Sequence, residues 1–265
     1  MSASRAETQE LLTERRGPVL WVTFNRPEAR NALTWNMYTR LVDVCEEVNR
    51  DRDVRAVVFT GAGGHAFVAG TDISQFRSFK TEKDALDYEA RGNAVMATVE
   101  SVGVPTIAAI AGPCTGAGAA IANCCDIRIG SPSARYGFPI ARTLGNCLSV
   151  ASLSRLTQLI GAGRTAELMM TARLLEASQA LSLGLVTEVT ADHASVLARA
   201  FDLARTLAGH APLTLRATKE ALRRLRIEGA GADDTDLITM TYMSDDFREG
   251  LEAFLAKRPP QWKGR

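Results

Sequence analysis

Apolar positions along the chain alternate between two rhythms. Short runs rich in β-branched and aromatic residues, at 19–24 and 56–60, predict strands, and the longer amphipathic stretch 35–49 between them predicts a helix. The same rhythm continues with an apolar strand at 106–111, a Gly/Ala segment opening a helix that runs through residue 123, and a short strand at 127–129. Helical spacing returns at 161–170 and 178–182, and 185–189 closes the series as a strand. Such alternation predicts an α/β core. Beyond Asp192 the strand signal stops, and 195–208, 213–226 and a stretch around 236–257 read as helices. The chain therefore divides into a core over 1–192 and a helical C-terminal region over 193–265. Residues Glu228-Gly229-Ala230-Gly231-Ala232 break two of the late helices apart, and Pro259-Pro260 ends the last.

Composition narrows the class. With 46% apolar residues among 265, the chain can bury a substantial core, which excludes disordered and collagen-like classes. Lys and Arg (31) nearly balance Asp and Glu (30), leaving +1, so no net field draws the chain to nucleic acid or to an anionic membrane. The opening MSASRAETQELLTERRG is polar and lacks the apolar centre of a signal peptide, and no apolar run is long enough to span a bilayer. A cytoplasmic location is expected. Five cysteines without a CxxC pair fit reduced, mostly buried thiols, and three histidines outside any HExxH arrangement give no support for a metal site.

Candidate chemistry concentrates in two glycine-rich junctions that follow predicted strands. One is Phe59-Thr60-Gly61-Ala62-Gly63-Gly64-His65-Ala66-Phe67-Val68-Ala69-Gly70-Thr71-Asp72-Ile73, and the other is Ala111-Gly112-Pro113-Cys114-Thr115-Gly116-Ala117-Gly118-Ala119-Ala120. Glycine permits positive φ and close approach, and a helix start offers unpaired NH groups that favour negative charge. Each loop alone reads first as a tight turn whose glycines only satisfy geometry. A phosphate-cradling role has little support, because GxxxxGK[ST] is absent and Gly116-Ala117-Gly118 lacks the further glycine of GxGxxG.

Four spaced motifs taken together resemble the crotonase (enoyl-CoA hydratase/isomerase) superfamily over nearly the whole chain. They are Asn25-Arg26-Pro27-Glu28-Ala29-Arg30-Asn31-Ala32-Leu33, AFVAGTDIS at 66–74, VPTIAAIAGPCTGAGAAIANCCDIRIGS at 104–131, and EGLEAFLAKRPPQWKGR at the C-terminus. The resemblance implies a spiral of ββα units with a C-terminal helical trimerisation region, and homotrimers that often pair into hexamers. It implies an oxyanion hole made by the backbone NH groups of Thr71 and Ala117, where the charge developing on a thioester oxygen would be held. Coenzyme A would arrive as part of an acyl-CoA substrate, with no permanently bound cofactor. Its contacts would fall on Ala29, Arg30, Ala32, Ala69, Asp72 and Ile73, with Arg30 as a phosphate partner and Phe254 and Lys257 closing over it from a neighbouring subunit. Arg30 and Lys257 read equally as plain solvated charge.

Family hydratases add water with two glutamates. The matching positions here are Ala120 and Ile140, neither of which can move a proton, and no glutamate lies between Glu100 and Glu167. Asp126 alone is acidic in that interval and matches a structural aspartate at the foot of a strand. Other candidates lie on the segment that lines the acyl pocket in relatives: Tyr136, Arg142, Thr143, Asn146, Cys147 and Ser149. Arg142 would suit a carboxylate-bearing acyl group or an enolate left by decarboxylation, and Asn146 would orient water or a carbonyl. Against these stand an ion pair of Arg142 at a subunit contact and a filler role for Cys147. His65 reads as solvent-facing, and Asp72 as the cap of a short helix. Glu82 to Glu89 reads as a solvated face, with entry of Glu89 or Glu100 into the pocket left open. With these departures, the resemblance implies an acyl-CoA enzyme working through an enolate by isomerisation, decarboxylation or other lyase chemistry. The alternatives are a catalytically silent acyl-CoA-binding subunit and, against the missing fingerprint, a nucleotide-binding Rossmann protein.

Overall fold

A computed structural model describes residues 9–265 of the chain, so the polar opening stretch 1–8 lies outside the described residues. The strands are β1 (Leu11–Arg16), β2 (Val19–Phe24), β3 (Ala56–Gly61), β4 (Thr106–Ile110), β5 (Pro113–Thr115), β6 (Ile127–Gly130), β7 (Arg135–Gly137), β8 (Leu175–Glu176) and β9 (Glu188–Val189). Six of them form a sheet in the order β1-β2-β3-β4-β6-β9, parallel except for the antiparallel pair β1–β2. A second, smaller sheet has the order β5-β7-β8. Its edge is continued by isolated bridges between Val68 and Cys114 and between Leu33 and Thr71.

Every residue of β3 and β4 is buried, as strands covered on both faces must be, and this is why their sequences are unbroken apolar runs. Strand β1 is the opposite case: only Leu11 is buried, and the exposed remainder, with Glu14, Arg15 and Arg16, guards a sheet edge. After β4 the chain crosses to β5 in the second sheet, and after β6 it crosses to β7, each excursion ending in a helix. That is the ββα spiral the sequence implied.

The helices are α1 (Trp35–Arg50), α2 (Glu82–Glu100), α3 (Ala117–Cys124), α4 (Ile140–Thr143), α5 (Val150–Ile160), α6 (Ala162–Thr171), α7 (Ala177–Ser182), α8 (His193–Ala208), α9 (Pro212–Glu228), α10 (Thr235–Tyr242) and α11 (Asp245–Leu255). The larger core joins Phe24, Val57, Phe59 and Ile110 of the sheet to Leu41 of α1, Val99 of α2 and Ile121 of α3. On the other face, Trp21, Val58, Ile107 and Ile129 pack against Val196, Ala200 and Ala204, a small-residue stripe at four-residue spacing that lets α8 lie close to the sheet.

Two corrections concern the helices. The stretch expected as one helix around 236–257 is two, because the Ser244 hydroxyl accepts the Phe247 NH at 3.0 Å and starts α11 afresh after α10. Helices α2 and α5 were not predicted. Asp126 is structural as expected: its Oδ2 accepts from the Thr106 NH at 2.7 Å and receives Lys219 of α9 at 2.5 Å. A buried ion cluster adds a second tie, with Arg155 of α5 and Arg226 of α9 both donating to Glu100 at 2.8 and 2.6 Å. Among the described residues no helix is long and apolar enough to cross a membrane.

Candidate active site

Both glycine-rich junctions end in a backbone NH with nothing to bind. After β3 the chain passes a short helical turn and runs beside β5, where the Phe67 NH donates to Pro113 O and the Thr115 NH to Val68 O, each at 3.0 Å. Further on, the Leu33 NH donates to Gly70 O and the Asp72 NH donates to Leu33 O, both at 2.9 Å. Successive peptide groups of an extended chain point to opposite sides, so the Thr71 NH is turned away from Leu33. In the second junction the Gly116 NH donates to Gly137 O at 3.0 Å, and Ala117 begins α3, where an NH has no intrahelical acceptor. Among the described residues neither the Thr71 nor the Ala117 NH has an acceptor.

Glycines create this convergence. Gly70 (φ 117°) and Gly116 (φ 53°, ψ −119°) immediately precede the two donors, in backbone regions that side chains disfavour. A Cβ on Gly116 would stand 3.6 Å from the Gly70 Cα, so the two turns touch. A Cβ on Gly118 would fall on the Val68 carbonyl oxygen, which fixes glycine at the point where α3 presses on the first loop. Ala117 itself has negative φ, so alanine is unstrained there.

The two donors open on a cavity of about 270 Å³ whose walls come from several elements. Ala120 and Ile140 form apolar wall, Tyr38 of α1 and Tyr88 of α2 flank Thr71, and Asn146, Cys147 and Ser149 close the far side. The Thr71 Oγ1 lies 2.7 Å from Tyr38 Oη and 3.2 Å from Tyr88 Oη, a chain of three hydroxyls that holds the Thr71 loop in place. Burial pushes both phenols up, so they stay neutral donors at ordinary pH. Helix α2 also contributes Glu89, a half-buried carboxylate raised from its ordinary value by burial. Replacing Tyr38 by Phe is expected to cost about 1 kcal/mol of stability, the net worth of one hydrogen bond, and to lower activity only severalfold, read by thermal unfolding and steady-state rates.

A family model described as enoyl-CoA hydratase/isomerase matches residues 14–265. The chain belongs to that family. It is similar to the short-chain-enoyl-CoA hydratase of Clostridium acetobutylicum, 34% identical over 95% of this chain and 97% of the relative. The 2,3-dehydroadipyl-CoA hydratase of Escherichia coli is also 34% identical, over 97% of this chain and 99% of its own. Among solved structures, an enoyl-CoA hydratase/carnithine racemase from Magnetospirillum magneticum superposes with a TM-score of 0.90 at 31% identity, covering 98% of this chain and 97% of that one.

Membership of the family gives the remaining residues their context. Ala29, Arg30 and Ala32 lie beside Ala69, whose NH donates to Arg30 O at 3.1 Å, and Ala69 and Ile73 line the cavity mouth. Arg30 is exposed and left-handed (φ 51°). Asp72 is engaged elsewhere: it accepts from Ser74 and pairs with Arg26 at 3.2 Å, which hold its carboxyl below its usual value, so it serves as the expected cap. Phe254 and Lys257 lie on exposed surface at the end of α11 and do not line the cavity of their own chain. Asn146 lines the cavity. Arg142 does not, because the single turn of α4 directs Ile140 inward and leaves Arg142 exposed. Tyr136 sits behind the wall, fully buried, donating to Ala119 O and Asn123 Oδ1 at 3.0 and 2.6 Å.

Tyr38 and Tyr88, which hold Thr71, escaped the sequence reading, and so did one further positioning residue. Asn31, wholly buried at φ 58°, accepts from the Arg26 NH and donates to Ala62 O and Ala66 O, tying the first motif to the first glycine loop. Its signal was available, since asparagine is the residue that best tolerates a left-handed turn after glycine.

Proposed function

We propose that the protein binds an acyl-CoA thioester and stabilises its enolate at the Thr71 and Ala117 NH groups. The observation that carries this reading is the pair of acceptor-free NH groups converging over a largely apolar cavity. A ground-state carbonyl gains little from such donors, whereas an oxygen acquiring charge gains about a hundred- to a thousandfold in rate from each. Arg30 would meet the CoA phosphates, and Ala29, Ala32, Ala69, Asp72 and Ile73 would form the neighbouring backbone bed. Asn146, which lines the cavity, would orient water or a carbonyl.

Relatives named hydratases make water addition the competing reaction. The two-carboxylate version of it has no support here, because Ala120 and Ile140 are apolar wall. Isomerisation, decarboxylation or other lyase chemistry on the same enolate fits the cavity better. Crotonyl-CoA incubated with the protein in deuterated water is expected to gain carbon-bound deuterium without adding water, as read by mass spectrometry. Hydration well above that of a Gly116→Ala control would overturn the reading. Absence of both products with intact thioester binding would favour the catalytically silent subunit.

The proposal extends to assembly. Exposed apolar side chains crowd the late helices, among them Tyr242, Met243, Phe247, Leu251, Leu255 and Phe254, the last 81% exposed. A homotrimer or a pair of trimers would bury such a surface and bring Phe254 and Lys257 to a neighbour's cavity. Sedimentation is expected to give a multiple of three times 28.5 kDa. The near-zero net charge fits work in the cytoplasm on a small-molecule substrate, without nucleic acid or membrane partners.

A further inference from the structure

We infer that Glu89 of α2 is the general acid–base of this site and that it alone carries a proton between two carbons of an unsaturated acyl-CoA. The inference rests on the acyl-CoA reading above. Among the described residues Glu89 is the one carboxylate lining the cavity. Its neighbours along the same helix face, Gly92, Asn93 and Met96, line it too, so one and two turns of α2 form that wall. Gly92 matters for access: a Cβ there would meet nothing, which leaves space beside the carboxylate.

Structural duties are filled by other acids of α2. Asp84 caps the helix in a box with Thr81, Asp87 pairs with Lys83, and Glu100 holds Arg155 and Arg226. Glu89 has no hydrogen bond or ion pair with the described residues, although it is half-buried, and an unpaired carboxylate in such a place costs stability unless it serves a ligand. The titratable groups sharing its cavity are Tyr38 from α1, Tyr88 from α2 and Cys147 from the segment before α5. None is a cation, so nothing opposes the upward shift that burial gives Glu89, and a base closer to neutrality transfers protons more effectively.

For a 3-enoyl-CoA the step balances without any co-reactant. The Glu89 carboxylate takes a proton from C2, and the C–H electron pair moves into the thioester, whose oxygen becomes the enolate held by Thr71 and Ala117. The carbonyl then re-forms, the double bond shifts from C3=C4 to C2=C3, and Glu89 returns its proton to C4. A single carboxylate suffices because the same group takes a proton at C2 and delivers one at C4, exchanging it with solvent in between when the pocket is open, which is why Ala120 and Ile140 can remain apolar.

The test follows conversion of 3-butenoyl-CoA to 2-butenoyl-CoA by proton NMR, beside calorimetric binding of the same thioester. Wild type is expected to convert it, with kcat rising through a pKa above the ordinary carboxylate range. Glu89→Gln should lose at least about a hundredfold in kcat with unchanged affinity, and Glu89→Asp should keep part of the rate with a displaced pH profile. Wild-type rates in Glu89→Gln, or binding by wild type without conversion, would sink this inference and leave the acyl-CoA reading intact. Failure of the wild type to bind any thioester would remove both.

Discussion

Gly116→Ala is expected to lower turnover by about a hundred- to a thousandfold while changing stability by no more than about 1–3 kcal/mol. The reason lies in the backbone. At φ 53° and ψ −119° an alanine is strained, yet its Cβ would meet only the Gly70 Cα at 3.6 Å, an ordinary contact. Nothing prevents the side chain from fitting, so the chain relieves the strain by rotating the 116–117 peptide. That rotation swings the Ala117 NH away from the oxygen it is proposed to hold. Thioester affinity should survive, because an oxyanion donor matters when charge develops. Steady-state kinetics beside thermal unfolding separates the two effects, and an unaltered kcat would show that Ala117 is not a donor.

The second large effect concerns stability. Glu100→Gln should destabilise the protein by about 3–5 kcal/mol, a drop of roughly 10 °C in melting temperature. Side-chain exposures of 16% for Glu100, 6% for Arg155 and 7% for Arg226 place two guanidiniums around one carboxylate away from solvent. Neutralising the acid leaves like charges facing each other without compensation. The cluster also joins α5 to α9, so its loss should loosen the helical region first, with urea unfolding becoming broader as well as earlier. Lys83→Ala on the exposed pair with Asp87 is the internal control and should leave the melting temperature essentially unchanged. Equal midpoints for the two variants would refute the account.

Strands β3 and β4 were legible because burial on both faces leaves an uninterrupted apolar signature, and α1 because one face alone is buried. Strand β1 was not, since a guarded edge of Glu and Arg reads as loop. Helix α2 was hidden for a related reason: much of its inward face is Tyr88, Glu89, Gly92 and Asn93, polar or small residues that line a cavity and so blur the amphipathic pattern. The two acceptor-free NH groups were legible in their motifs, because glycine encodes backbone shape directly. Side chains that act across space carry no such local mark. Arg142 was expected at the acyl group and stands outside the cavity, because one turn of α4 decides the matter and four residues give too little periodicity to read.

On the proposed reading Thr71 and Ala117 anchor the thioester oxygen through main-chain NH groups, which ordinary substitution cannot delete and which a change in the preceding glycines can move. Everything that distinguishes one reaction from another is carried by replaceable side chains on the surrounding walls. Such a division lets a lineage exchange its proton carrier, position by position, while every intermediate form keeps its grip on the substrate. The apolar Ala120 and Ile140 are then natural starting points for laboratory selection of new reactions in this scaffold.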